Sequence, residues 1–190
     1  GGLFIIAQPP VQAIANRKNA HKEGHLYPMN TSIYSAGADP YDHTGKSAVS
    51  SDAALTIFRH QDVREENTPY HINELGLVVY DDPERCKTNK FVAAYRYRHA
   101  DPKDCYRDMI KLLMWYGADC LIETNKPGFK NFLNDVKCGG YVAFPNSNMG
   151  VVAASNKESG LASTTPTIEL YTTELSSYIY NYSEQLDIIP

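Results

Sequence analysis

With 190 residues, 43% of them apolar and 21% charged, the chain is long enough for one hydrophobic core. Fourteen tyrosines also exclude a disordered or collagen-like composition. Eighteen Lys and Arg stand against 22 Asp and Glu, so the net charge of −4 gives no general attraction to nucleic acid, and any such binding falls to local basic patches or bound cations. The longest apolar runs, such as Leu3 to Ala7, are far below the roughly 20 residues of a membrane-spanning helix, so no membrane partner is expected.

In chain order, residues 1–32 read as an arm or linker. They are irregular, interrupted by Pro9-Pro10 and Pro28, and leave room for one short helical turn in the polar middle. No leader pattern is visible, and the start at Gly1-Gly2 reads as a cut from something longer. Ile33 to Asp39 and Ala53 to Gln61 have strand character, with a loop between them. Leu75 to Tyr80 and Phe91 to Arg98 are expected to form a hairpin around the polar turn Asp81 to Lys90. Asp101-Pro102 has the form of an N-cap followed by proline at the first helical position. The helix it opens is expected to run to about Gly117, with Tyr106, Ile110, Leu113 and Met114 on one face and a basic stripe of Lys103, Arg107 and Lys111 on another. Cys120 to Glu123 is a short buried-strand pattern. Pro127 to Val136 is a helix by the spacing of Phe129, Phe132, Leu133 and Val136, and Tyr141 to Phe144 is one more strand. The result is an α/β fold, an antiparallel meander followed by parallel strands, flanked by helices.

Pro145 to Thr165 is rich in Gly, Ser, Asn and Thr and is expected to be a mobile surface loop. Thr165-Pro166 then opens a last helix, in which Ile168, Tyr171, Leu175, Tyr178, Ile179, Tyr182 and Leu186 make one wide apolar stripe. The four cysteines stand far apart without metal-ligand spacing and read as reduced, buried thiols.

Two patterns invite a chemical reading. Gly45-Lys46-Ser47 resembles the end of a phosphate-binding loop, but that loop needs a glycine where Pro40 stands, and a polar hairpin loop is the better reading. More informative, Gly37-Ala38-Asp39-Pro40 ends one buried strand in an acid, and Leu121-Ile122-Glu123-Thr124-Asn125 ends another. Such acids are either solvated turn residues or, where the strand ends share a rim, oxygen ligands for hard divalent cations in a phosphodiester hydrolase. Asp52 opens the second strand as a further metal ligand or a simple turn acid, and Asp42 and His43 read as exposed. Asn125 is placed to cap the following helix, Gly128 to allow close backbone or phosphate approach at its start, and Lys126 and Lys130 to touch phosphate or remain solvated.

These strings, together with Ser50 to Ala54 and Asp119 to Gly128, resemble the C-terminal nuclease domain of tailed-bacteriophage large terminases, with the acid-x-Asn-x-x-Gly motif as the most specific part. The resemblance implies an RNase H-like domain over 33–190, shortened at its C-terminus, that cuts concatemeric viral DNA during packaging. It implies an endodeoxyribonuclease with a two-metal Mg²⁺ or Mn²⁺ site ligated by Asp39 and Glu123, to which the residues themselves add Asp52 as a further catalytic candidate. The DNA contacts expected with it are Lys126, Lys130, Lys103, Arg107 and Lys111. Implied partners are double-stranded DNA, an N-terminal ATPase domain of the full-length protein, the small terminase subunit and the portal, in the cytoplasm of an infected bacterium. The family's third carboxylate comes from a late helix. Here Asp187 is the only late acid near a suitable boundary, and Glu169, Glu174 and Glu184 lie off the apolar stripe, so an incomplete metal site is expected. Removing Asp39 or Glu123 is expected to abolish cleavage and, by relieving repulsion, to raise the melting temperature of the metal-free domain. The alternative is a non-catalytic RNase H-like docking module of a packaging motor. An actin-like ATPase is excluded, because Asp39-Pro40-Tyr41 lacks the glycine-rich turn it needs.

Overall fold

The computed structural model describes residues 2–11, 18–42, 51–66, 68–144, 160–161 and 164–185. The strands in chain order are β1 (Leu3–Ile6), β2 (Asn19–Lys22), β3 (His25–Pro28), β4 (Tyr34–Asp39), β5 (Ala53–Arg59), β6 (Tyr70–Ile72), β7 (Val78–Tyr80), β8 (Lys90–Tyr97) and β9 (Asp119–Ile122). The helices are α1 (Pro102–Tyr116), α2 (Gly128–Asp135) and α3 (Thr165–Tyr182).

A five-stranded mixed sheet, β1-β8-β5-β4-β9, organises the molecule. The neighbouring pairs are antiparallel except β4 and β9, which run parallel. In β5 the odd positions Ala53, Leu55 and Ile57 are buried against α1, and the even positions face the other side, as period-2 alternation requires. α1 has the expected ends. The Asp101 carboxylate accepts the Lys103 N–H at 2.9 Å, Pro102 occupies the first turn, and Gly117 closes the helix in the left-handed region. Its buried face of Cys105, Tyr106, Met109, Ile110, Leu112, Leu113 and Tyr116 meets Tyr34, Leu55, Ile57, Val92 and Tyr95 in the main core.

Four expectations are corrected. First, β7 does not pair with β8. It pairs with β6 in a separate ribbon, closed by an Asn73 side chain that accepts the N–H groups of Leu75 and Leu77, while β8 lies between β1 and β5. Second, the segment read as an arm is built of strands: β1 adds to the sheet edge at β8, and β2 and β3 form a ribbon tied to the end of α1 by Asn30, whose Nδ2 donates to the Tyr116 carbonyl. Third, Tyr141 to Phe144 is not a strand. Gly139–Tyr141 is a 3-10 turn, and Val142 makes a single parallel bridge to Cys120. Fourth, the stripe on α3 is only half used. Tyr178 packs on Phe58 and Phe91 and donates to the Asn89 carbonyl at 2.7 Å, whereas Ile168, Leu175 and Ile179 stay exposed. On the far side of the sheet α3 meets this aromatic corner of Phe58 and Phe91.

All four cysteines are buried free thiols. Among the described residues no helix is long and apolar enough to cross a membrane. Residues 43–50, most of the expected loop 145–165 and residues 186–190 lie outside the described residues, and with them His43, Leu186 and Asp187.

Candidate functional site

The parallel register pairs Ala38 with Ile122, so the next residue of each chain segment, Asp39 and Glu123, leaves the sheet side by side at one rim. Between them stands Lys126, from the turn that follows β9. Its Nζ donates to Asp39 Oδ1 at 2.7 Å and lies 3.2 Å from Glu123 Oε2. Burial works against the ammonium, but the hydrogen bonds and charges of the two carboxylates outweigh it and raise its pKa, so Lys126 is a firm cation. Asp39 is the more exposed carboxylate, at 56% against 20% for Glu123.

Glu123 is held from both sides. Its N–H points to the Ala38 carbonyl at 3.4 Å, while Thr124 donates to the Leu161 carbonyl and Leu161 to the Ile122 carbonyl, each at 2.8 Å. Leu161 is buried, an apolar anchor in a stretch expected to have little apolar anchoring.

Asp39 is positioned through the residues that follow it. The Tyr41 hydroxyl donates to the His99 carbonyl at 2.6 Å, and its ring lies under the Arg98 guanidinium at 4.1 Å. The Asp42 carboxylate accepts the Gly128 N–H at 3.0 Å and lies 2.7 Å from the Tyr106 hydroxyl, which is equally close to the Tyr41 carbonyl. Burial and then the Asp42 carboxylate push the Tyr106 phenol well above the ordinary tyrosine range, so it stays a donor. The start of α2 is therefore served by Asp42. Its N-cap residue is Pro127, with no side-chain cap bond, and the anion that approaches Gly128 is a carboxylate of the chain itself.

Asp52 is on the same rim but is not drawn into the pair. Its Oδ2 accepts from Arg96 Nε at 2.9 Å. Among the described residues no three His, Cys, Asp or Glu side chains gather around one point. Cross-strand register aligns Asp39, Ala54 and Arg96 in one row, so Asp39 and Arg96 share a face of the sheet. Sequence reasoning missed Arg96 and Arg98, whose alternation at the end of β8 becomes informative only once that register is known.

Of the expected basic stripe, Arg107 is paired with Asp104 and Lys111 with Asp108, while Lys103 is exposed. Lys130 is half-buried on α2. A cleft of about 570 Å³ between α1 and α2 is lined by Lys103 and Arg107, but also by Asp42, Asp101 and Asp135, so its charge is mixed.

In comparisons with known proteins, no family model and no curated protein matches the chain.

Proposed function

We propose that the chain is a divalent-metal-dependent endodeoxyribonuclease domain with an RNase H-like fold, of the kind that tailed-phage large terminases use to cut concatemeric DNA during packaging. One observation carries the reading: two carboxylates, from the ends of adjacent parallel strands, converge on a single positive centre at an exposed rim. The strand order supports it too, since an antiparallel β4-β5-β8 meander with β9 added in parallel after a helix is the arrangement such a domain requires.

The donor set suits the group. Both side chains are hard oxygen ligands, and they already share one cation. When bound, Mg²⁺ or Mn²⁺ supplies Lewis acidity and charge neutralisation at a phosphodiester. Glu123, its backbone fixed on both sides, sets the position, and the more exposed Asp39 faces the incoming strand. Arg96 shares the sheet face of Asp39, and Lys126 contacts both acids, so these two cations are placed for phosphate at the rim. The packaging partners, an ATPase domain, a small subunit and a portal, belong to this proposal.

The test is nicking of supercoiled plasmid in Mn²⁺ and Mg²⁺ by the parent, Asp39→Asn and Glu123→Gln. Loss of about 100-fold or more in either variant is expected, above the roughly 10–100-fold typical of changes one shell further out. Parental cutting by both variants would overturn the reading. A non-catalytic docking module is favoured by one feature, that the Lys126 ammonium itself bridges the two acids. That reading predicts no metal-dependent nicking by the parent at all.

A further inference from the structure

We propose that Lys126 is a built-in counter-cation: it occupies the cation position between Asp39 and Glu123 in the metal-free protein and is displaced from it when a divalent ion enters. The inference rests on reading these two acids as metal ligands.

Three observations carry it. The ammonium contacts both carboxylates, at 2.7 and 3.2 Å, so the space where an ion could touch both is the space Nζ fills. An ion bound to oxygen at about 2.0–2.1 Å would then stand against a like charge with no water between. The two cannot share the position. Finally, Lys126 has a way out. It sits in the turn between β9 and α2 rather than within either, its side chain is 39% exposed, and a lysine stem is long and flexible.

A permanent structural salt bridge would behave differently. It would keep its lysine whatever ion was added, and its loss would weaken the site for every ligand. A counter-cation competes, so its removal strengthens metal binding while leaving two unbalanced carboxylates in the metal-free protein. The displaced ammonium then stands at the rim beside Asp39, available to a phosphate of the bound strand.

The experiment measures Mn²⁺ affinity by calorimetry and melting temperature without metal, for the parent, Lys126→Gln, Lys126→Arg and Asp39→Asn. Lys126→Gln should bind Mn²⁺ about tenfold more tightly, the factor that matches losing two partly exposed ion pairs, and should melt lower than the parent when metal-free. Lys126→Arg keeps the charge and should keep the parental affinity. Equal or weaker binding by Lys126→Gln, where the parent binds and Asp39→Asn does not, overturns the counter-cation alone. Absence of Mn²⁺ binding in the parent and in Lys126→Gln overturns the metal-site reading and this inference with it. A second measurement uses the unaltered protein: acylation of the Lys126 amine, followed by mass spectrometry, should rise when Mg²⁺ is added. Unchanged labelling at a Mg²⁺ concentration that calorimetry shows to be saturating would mean that the lysine stays in place, and the proposal would fail.

Discussion

Gly128 has no room for a side chain. A Cβ there would stand 2.4 Å from Asp42 Oδ1 and 2.6 Å from the Tyr106 hydroxyl, so Gly128→Ala must push away the carboxylate that serves the start of α2. We expect a loss of about 1–3 kcal/mol in urea unfolding, the cost of overpacking joined to a broken cap. Lys126 changes another expectation at this scale. Because its ammonium already balances Asp39 and Glu123, removing one acid in the metal-free protein relieves no repulsion. Asp39→Ala should therefore leave thermal stability unchanged or lower it by up to about 1 kcal/mol, since Asp39 is largely exposed. A raised melting temperature would show that the lysine does not neutralise the pair. His60 carries a pH dependence. Burial lowers its pKa against the opposing pull of Asp119, so below about pH 6.5 the unfolded chain binds a proton that the folded one resists, and stability falls as the pH drops. His60→Gln should flatten the melting temperature between pH 7.5 and 5.5. Burial raises the pKa of Asp119, which therefore acts with the opposite sign as the pH falls toward the carboxylate range.

Elements announced by local chemistry were legible. Asp101-Pro102 and Gly117 delimit α1, and the apolar runs of β4, β5 and β9 lie within a residue or two of where their composition puts them. Pairing was not legible, because partners are chosen at long range. The turn that closes β6 on β7 is marked by Asn73 and Gly76, yet its signal is no stronger than that of the polar stretch before β8. β1 is four apolar residues without alternation, and only the free edge of β8 makes it a strand. The same limit applied at the site. The rim acids could be named from strand-end position, but Lys126 between them, Arg96 across the row and Leu161 behind Glu123 follow from register and closure. Leu161 yields a test at this scale. Leu161→Ala removes a buried side chain whose backbone fixes Glu123, and should cost about 2–4 kcal/mol in denaturant unfolding while weakening metal-dependent nicking.

Across the whole molecule, charge is distributed so that the net −4 does not describe the rim. On α1 Arg107 and Lys111 are matched by acids one turn away, while at the rim Arg96 pairs with Asp52 in the row that holds Asp39, and Lys126 stands between Asp39 and Glu123. DNA binding should be weak, insensitive to sequence and steeply salt-dependent. Arg96→Ala should reduce affinity and the salt slope more than Arg107→Ala does, measured by titration of unrelated duplexes; the reverse ranking would move the contact surface to α1. Building the sheet from distant segments also has a consequence for how the protein is made. Asp39 and Lys126 are 87 positions apart, and at about 5–20 residues per second a ribosome needs roughly 4–17 s to travel between them. For most of that interval β4 has been synthesised but β9 has not, so one acid of the rim exists without the strand that leads to the other. The nascent chain therefore passes through a stage in which β4 lacks its parallel neighbour and the rim that joins Asp39 to Glu123 is not yet formed. The pairing of the two rim acids through Lys126 waits until β9 has been made and has joined β4.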